Sequence, residues 1–387
     1  MHDKLLTRDF VFLCLSTFLF AASMFLLFAV LPPFVIDELH GTETDVGLVM
    51  GAFAAAALLS RPGSGWLVEA RSRKAGLKLG AVIYCVTPLL YMQAGSVPLM
   101  LALRLLHGIG IAAYTTAASV LVADLAPAGR RGEAMGYHGM ALNLSLAVAP
   151  ALGAVLMKQL GFGGLFWVSS AVALGSLLLV PLVREPQRPH PLHGQPGRGG
   201  LVLFSRAALF PAFIAMCMTT TFGAVVAFLP LFVQEHDLGN PGLFFTVYAA
   251  VVVASRPWAG RWSDRIGRAA VAAPGMVSLG IAMVTLAYTT STRGLLCAAL
   301  FQGFGFGTVH PAMMALTVDR ATPAERGAAL ATLMAAFDVG VGLSATVLGA
   351  VLARTDFTTT YLCTGAVAFS GAAACAWGAR REAEAPV

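Results

Sequence analysis

The sequence predicts an all-α integral membrane protein whose twelve transmembrane helices form two pseudo-symmetric six-helix bundles. Three observations lead there. The first is composition: of 387 residues, 58% are hydrophobic and only 11% charged, against about 25% charged in a soluble domain. The mean hydropathy is +0.78, and apolar runs recur, many of them with the ~20 residues that cross ~30 Å of hydrocarbon. The second is an internal repeat: residues 60–143 return at a constant shift of 195 positions as residues 255–338. Ser60-Arg61-Pro62 returns as Ser255-Arg256-Pro257, Gly65 as Gly260, and His107-Gly108-Ile109-Gly110 as Gln302-Gly303-Phe304-Gly305. Asp124 returns as Asp319 and Arg131-Gly132 as Arg326-Gly327. So regular a duplication implies two similar membrane bundles facing each other, with a pathway between them. The third is a sharp alternation of basic and non-basic loops.

The expected spans are 10–36, 45–68, 76–94, 98–122, 133–157, 163–183, 207–233, 242–262, 269–289, 293–317, 327–352 and 358–379. The first run is too long for a signal-peptide core and no small-residue cleavage site follows it, so it reads as a span doubling as the insertion signal. Leu31-Pro32-Pro33-Phe34 and Leu229-Pro230-Leu231-Phe232 close the first and seventh spans in parallel and look like matched bends at the outer mouth. Between the sixth and seventh spans, residues 184–206 are rich in Pro, Gly, His and Arg and read as a flexible joint. The expected units are therefore 1–183, a linker 184–206, and 207–387. All six cysteines (Cys14, Cys85, Cys217, Cys297, Cys363, Cys375) fall in apolar runs without CxxC spacing. They are expected to pack as small apolar residues, with no metal site and no cofactor.

One set of loops collects Lys4, Arg8, Arg71, Arg73, Lys74, Lys78, Arg130, Arg131, the linker, Arg261, Arg265, Arg268, Arg320, Arg326, Arg380 and Arg381. The other holds only Lys158, Arg293 and Arg354, together with the acidic stretch from Asp37-Glu38 to Asp45. Basic loops stay cytoplasmic, so both termini and the linker are expected inside a bacterial inner membrane. The net charge of +6 follows from this asymmetry and anionic lipids, and calls for no nucleic-acid partner.

After the second span comes Gly65-Trp66-Leu67-Val68-Glu69-Ala70-Arg71-Ser72-Arg73-Lys74, and after the eighth Gly260-Arg261-Trp262-Ser263-Asp264-Arg265-Ile266-Gly267-Arg268. This G-x-x-x-D-R-x-G-R pattern, once per half, resembles the signature loop of the major facilitator superfamily. The resemblance covers nearly the whole chain. The first copy departs from it, with Glu69 for Asp, Ala70 for Arg and Ser72 for Gly. The resemblance implies a cytoplasmic latch in which Glu69 pairs with Arg131 and the start of the eleventh span, and Asp264 with Arg326 and the start of the fifth. Arg73, Arg265 and Arg268 belong to the same gate. The competing reading is that these charges only enforce topology.

Ionisable groups in hydrocarbon usually face a cavity or a partner. Asp338 lies about eleven residues into the eleventh span, ~16 Å at 1.5 Å per residue, and so near the midplane. Its counterpart in the first half is Asn143. An isolated carboxyl in a low dielectric favours its neutral form, which makes Asp338 a candidate for reversible protonation; a structural hydrogen-bonded aspartate is the alternative. Arg104-Leu105-Leu106-His107-Gly108 in the fourth span resembles the R-x-x-Q-G motif of proton-coupled family members, with Gln302 retained in the second half. Arg104 is expected to hold a carboxylate ionised or bind an anionic substrate, and His107 to add a second titrating group; packing roles compete for both. In the fifth span, Ala149-Pro150-Ala151-Leu152-Gly153 resembles the G-P-x-x-G element of drug and metabolite antiporters, with Ala149 in place of Gly. Tyr114 and Thr115, Thr220, Gln302 and His310 complete the candidate pathway, although Thr hydroxyls often bond their own helix.

The expectation is a secondary active transporter, proton-coupled and exporting a small organic molecule by alternating access, with Asp338 carrying the proton and Arg104 biasing it. Its expected partners are substrate, protons and lipid, and its expected state is a monomer. An importer or facilitator of a polar metabolite, a lipid flippase on the same fold, and a membrane sensor remain as alternatives. No nucleophile–base constellation, phosphate loop or metal cluster points to an enzyme.

Overall fold

The computed structural model describes residues 5–127, 130–186, 205–322 and 325–384. The joint expected at 184–206 falls largely outside them. The described residues are helical almost throughout. The helices are α1 (Arg8–Leu26), α2 (Leu31–Asp37), α3 (Glu43–Ala70), α4 (Arg73–Tyr91), α5 (Val97–Leu125) and α6 (Arg131–Leu179). After the linker come α7 (Leu209–Glu235), α8 (Gly242–Ile266), α9 (Arg268–Tyr288), α10 (Thr292–Arg320), α11 (Arg326–Leu352) and α12 (Phe357–Glu384).

Local chemistry explains where these helices start and break. Polar caps open several of them. Thr7 Oγ1 accepts the Phe10 N–H, Thr42 and Asp45 form a reciprocal capping box, and Asp356 accepts the Thr359 N–H. That last bond holds the Asp356 carboxyl below its usual range. The first expected span is two helices rather than one, because Pro32 and Pro33 sit at the start of α2, where a missing N–H is harmless. Pro230, by contrast, lies inside an unbroken α7, so the two bends are not alike. The fifth and sixth spans are joined in α6, which reverses at Gly161 with φ 70° and ψ 179°. Only glycine adopts that conformation readily.

Among the described residues, nine segments are long and apolar enough to cross a membrane, and one of them, of 50 residues, is the doubled α6. α4 and α8 complete twelve spans. In α8 the apolar segment among the described residues is Gly242–Arg256.

Within the first bundle α1 packs on α6 and α3 and α4 on α5; within the second, α9 and α8 pack on α10 and α12 on α9 and α7. The bundles meet where α3 lies against α11 and α6 against α8. Both contacts use the same device, one repeat apart. Gly242 leaves no room for a Cβ against the backbone of Pro150 and Ala151, and Gly47 does the same against Ala345.

The apolar core is divided unevenly along the spans. At the end carrying Asp37, Glu38 and Asp356, the far end, one continuous cluster joins Phe25, Val30, Val46 and Leu146 to Phe228, Phe245, Leu286 and Leu348. At the opposite, basic end the clusters stay separate. One, around Leu13, Tyr84 and Leu121, belongs to the first bundle; the other, around Met218, Met276 and Leu333, to the second. Among the described residues the bundles thus share one apolar cluster at the far end and have separate clusters at the basic end.

Candidate functional site between the bundles

Asp338 lies twelve residues into α11, ~18 Å from its start at 1.5 Å per residue. Among the described residues it is the only acid so far inside a span. It is not isolated. Arg61 of α3, from the other bundle, binds it bidentately, Nε to Oδ2 at 2.6 Å and Nη2 to Oδ1 at 3.1 Å. Such a fork-to-fork pair is the strong form of ion pair. The pair is partly open, with 36% of the Arg61 and 17% of the Asp338 side chain exposed.

This corrects the expected role of Arg104. Arg104 is buried and its Nε donates to the Val49 carbonyl at 3.2 Å, with its guanidinium carbon 4.3 Å above the Phe53 ring. It ties α5 to α3 and does not reach Asp338's partner position, which Arg61 fills. His107 is likewise buried, its Nδ1 bonded to the Tyr91 hydroxyl at 2.7 Å and its ring 4.0 Å from that of Tyr84. Its Nε2 has no partner among the described residues. Asp338, Arg104 and His107 therefore do not form one constellation.

The other candidates divide in the same way. Tyr114 is fully buried and its hydroxyl bonds Ser16 at 2.7 Å and Ser176 at 3.4 Å, so it staples α1, α5 and α6. Thr115 and Thr220 bond the carbonyls of Ile111 and Met216 on their own helices. Gln302 is buried and donates to Thr221 at 2.9 Å. His310 stacks on Phe306 at 5.6 Å and meets Phe337 edge-on at 5.0 Å. Asn143 donates to the Gly139 carbonyl of its own helix at 2.9 Å. Pro150 and Gly153 are buried at contacts, Pro150 against Gly242 and Gly153 against the Leu26 backbone.

At the basic end, the side chains of Glu69, Arg131, Asp264 and Arg326 lie outside the described residues, and with them both expected latch pairs. Arg73 and Arg268 make matching bonds one repeat apart, Arg73 to Asp124 at 2.8 Å and Arg268 to Asp319 at 3.0 Å. These pairs tie α4 to α5 and α9 to α10, so they brace each bundle from within. Arg265 is exposed.

Sequence reasoning missed Arg61 and Arg256 as membrane charges, although both stand in the quoted repeat and inside the expected spans 45–68 and 242–262. An arginine there needed the same question that was put to Asp338.

A groove of about 570 Å³ opens beside the ion pair, lined by Leu48, Leu58, Leu101, Leu105, Leu343, Thr346 and Asp338. Leu105 and Leu343 are 45% and 56% exposed, so the groove lies on the outer flank where α3, α5 and α11 meet. At the far end Pro33, Asp37, Lys158, Pro230, Gln234 and Asp237 line a second cavity of about 240 Å³.

The family model of the Major Facilitator Superfamily matches residues 13–244 and 241–387. The chain belongs to this superfamily. It is 26% identical over 377 residues to an uncharacterized MFS-type transporter of Burkholderia mallei (strain SAVP1), covering 94% of this chain and 89% of that protein. A similar relative in Salmonella typhimurium is 25% identical over 384 residues, covering 93% and 95%. Among solved structures, a POT family transporter in complex with 5-aminolevulinic acid superposes with TM-score 0.83 at 13% identity, covering 98% of each chain. A mutant form of the nucleoside transporter NupG gives 0.81 at 14%, covering 96% of this chain and 99% of that one. The chain is accordingly a multi-pass membrane transporter of the facilitator fold and not an enzyme.

Proposed function

We propose that this transporter exports a small organic molecule in exchange for protons, with Asp338 and Arg61 as its proton-sensitive lock. One observation carries the reading: the acid deepest in the described spans is held by a guanidinium of the opposite bundle. While Asp338 is ionised, the pair fastens α3 to α11. A proton on Asp338 cancels one charge and removes one acceptor, so the bundles lose a tie at the depth about which they must rock. A group that titrates and also bonds across the moving interface couples protonation to conformation, because each state of the interface then has its own proton affinity.

Topology orients the two ends. With the basic loops cytoplasmic and both termini inside a bacterial inner membrane, the far-end weld faces outward and the separately packed ends face the cytoplasm. An exporter loads its cargo in this state, and an importer releases its cargo there. The Pro150–Gly153 element, similar to that of antiporters, and the greasy flank groove both support export of an apolar or amphipathic compound. The units proposed to rock are 1–183 and 207–387, joined by 184–206 and acting as a monomer.

The test uses full-length protein in liposomes carrying a trapped pH-sensitive dye, with a compound chosen by thermal-shift screening. Wild type is expected to move protons against the compound, and Asp338→Asn to lose gradient-driven flux while retaining compound binding. Unchanged gradient-driven flux in Asp338→Asn removes the lock from the mechanism. The flank groove supports a second reading, flipping of an amphipathic lipid. A fluorescent-phospholipid translocation assay in the same vesicles separates the two.

A further inference from the structure

The 195-residue repeat relates two interfaces between the bundles. It maps Arg61 onto Arg256 and Asn143 onto Asp338. At the α3–α11 interface the pair is complete, cation to acid. At the α6–α8 interface the cation remains and the acid does not. Arg256 reaches from α8 to the other bundle, and its Nη1 lies 3.7 Å from where a Cβ on Gly139 would sit, with no other neighbouring group within 4 Å of that point. One turn along α6 is Asn143, whose amide is turned back to the Gly139 carbonyl. Among the described residues, Arg256 makes neither a hydrogen bond nor an ion pair. It stands ten residues from the nearer, basic end of α8, ~15 Å at 1.5 Å per residue and so near the middle of the span. A half-buried guanidinium without a counter-charge is costly, and membrane charges are kept where they bind something.

Its surroundings supply a wall for the rest of a ligand. Phe222 stacks on Tyr248 at 5.7 Å, Phe306 lies 5.8 Å from Tyr248 and 5.7 Å from Phe222, and His310 stacks on Phe306 at 5.6 Å. Tyr248 and His310 are both within electrostatic reach of Arg256. A cation beside an aromatic wall suits a flat apolar body carrying one negative group.

We infer that Arg256 and the aromatic wall of α7, α8 and α10 form a binding site for an aromatic organic anion, whose carboxylate completes the pair that Asn143 leaves unfinished. This rests on the transport reading and names the cargo class. Cargo binding at Arg256 and proton coupling at Asp338 are different residues on different interfaces, so each can fail alone.

The test is equilibrium binding to purified full-length protein at neutral pH, read by thermal shift and calorimetry. The probes are 2-naphthoate and benzoate, each beside its neutral amide, with sodium sulfate as the inorganic control. Wild type is expected to be stabilised by millimolar naphthoate and not by naphthamide. Arg256→Gln should weaken naphthoate binding by roughly tenfold or more, and Arg256→Lys by less, since it keeps the charge but loses the fork. Asn143→Asp supplies the missing acid within the protein, so it should remain folded, unfold at a higher temperature without ligand, and lose naphthoate binding. The inference is overturned if acid and amide act alike, if neither acid stabilises the protein, or if sulfate binds as well as naphthoate. It is equally overturned if folded Arg256→Gln or Asn143→Asp binds naphthoate as tightly as wild type.

Discussion

Arg61 and Asp338 meet across 277 positions of sequence, and that distance explains why only one of them was legible. Asp338 announces itself because hydropathy isolates an acid in the middle of an apolar helix. Arg61 sits in an equally apolar run, but no local pattern says that its face of α3 turns towards α11. Arg104 illustrates the reverse error, since a family motif names the residue while packing decides that it spends its donors on Val49. Tyr114 is a pathway candidate in the sequence as a polar residue inside the fourth span, and only the contact with Ser16 and Ser176 assigns it to the core. The pair itself is open to experiment. Removing either partner should cost about 1–2 kcal/mol, below the 3–5 of a sealed pair because Arg61 is about a third exposed. Thermal unfolding of Arg61→Gln and Asp338→Asn in detergent measures this. The double exchange Arg61→Asp with Asp338→Arg should lose less stability than its two single exchanges added together, and a simply additive double variant would mean that the contact contributes nothing.

At the scale of the helix, glycine and proline positions carried most of what could be read in advance. The reversal at Gly161 falls in the gap between the expected spans 133–157 and 163–183. The unequal fate of the two proline bends was not legible. Pro32 and Pro33 break the first span, while a single Pro230 is buried inside an unbroken α7. Two substitutions probe these devices. Gly161→Ala forces an L side chain into φ 70° and should cost about 1–3 kcal/mol, read as a lower unfolding temperature with the bundle interface intact. Gly242→Leu adds volume where α8 touches the backbone of Pro150 and Ala151, and overpacking of that kind costs typically 1–3 kcal/mol. Its signature should differ: the far-end weld opens, so transport falls even in protein that still folds. Equal activity of the folded Gly242→Leu variant and wild type would show that the close approach is dispensable.

For the whole molecule, the division of the core is the feature with mechanical consequences. The twelve spans and their duplication were legible from composition and repeat, but the packing of the interface was not, since no local pattern says which faces of α3, α6, α8 and α11 meet. A core fused at one end and split at the other predicts which contacts must break in each cycle. Thr246 donates to the Ala147 carbonyl and Asn240 to that of Ala151 at 3.1 Å, while Phe28 meets Phe245 at 6.3 Å, all across the bundles at the far end. These bonds exist only while that end is shut, so alternating access requires their loss. A cysteine pair, Ala147→Cys with Thr246→Cys, tests this in a background with the six native cysteines replaced, Cys297 and Cys363 first because they are exposed. A short thiol cross-linker with a reducible bridge should bring flux in liposomes to background, and reductant should restore it. Binding of cargo from the basic end should survive the cross-link, since the separately packed end stays as it is. Flux that continues through the cross-linked protein would mean that the far end need not open, and the rocking of the two bundles would have to be given up.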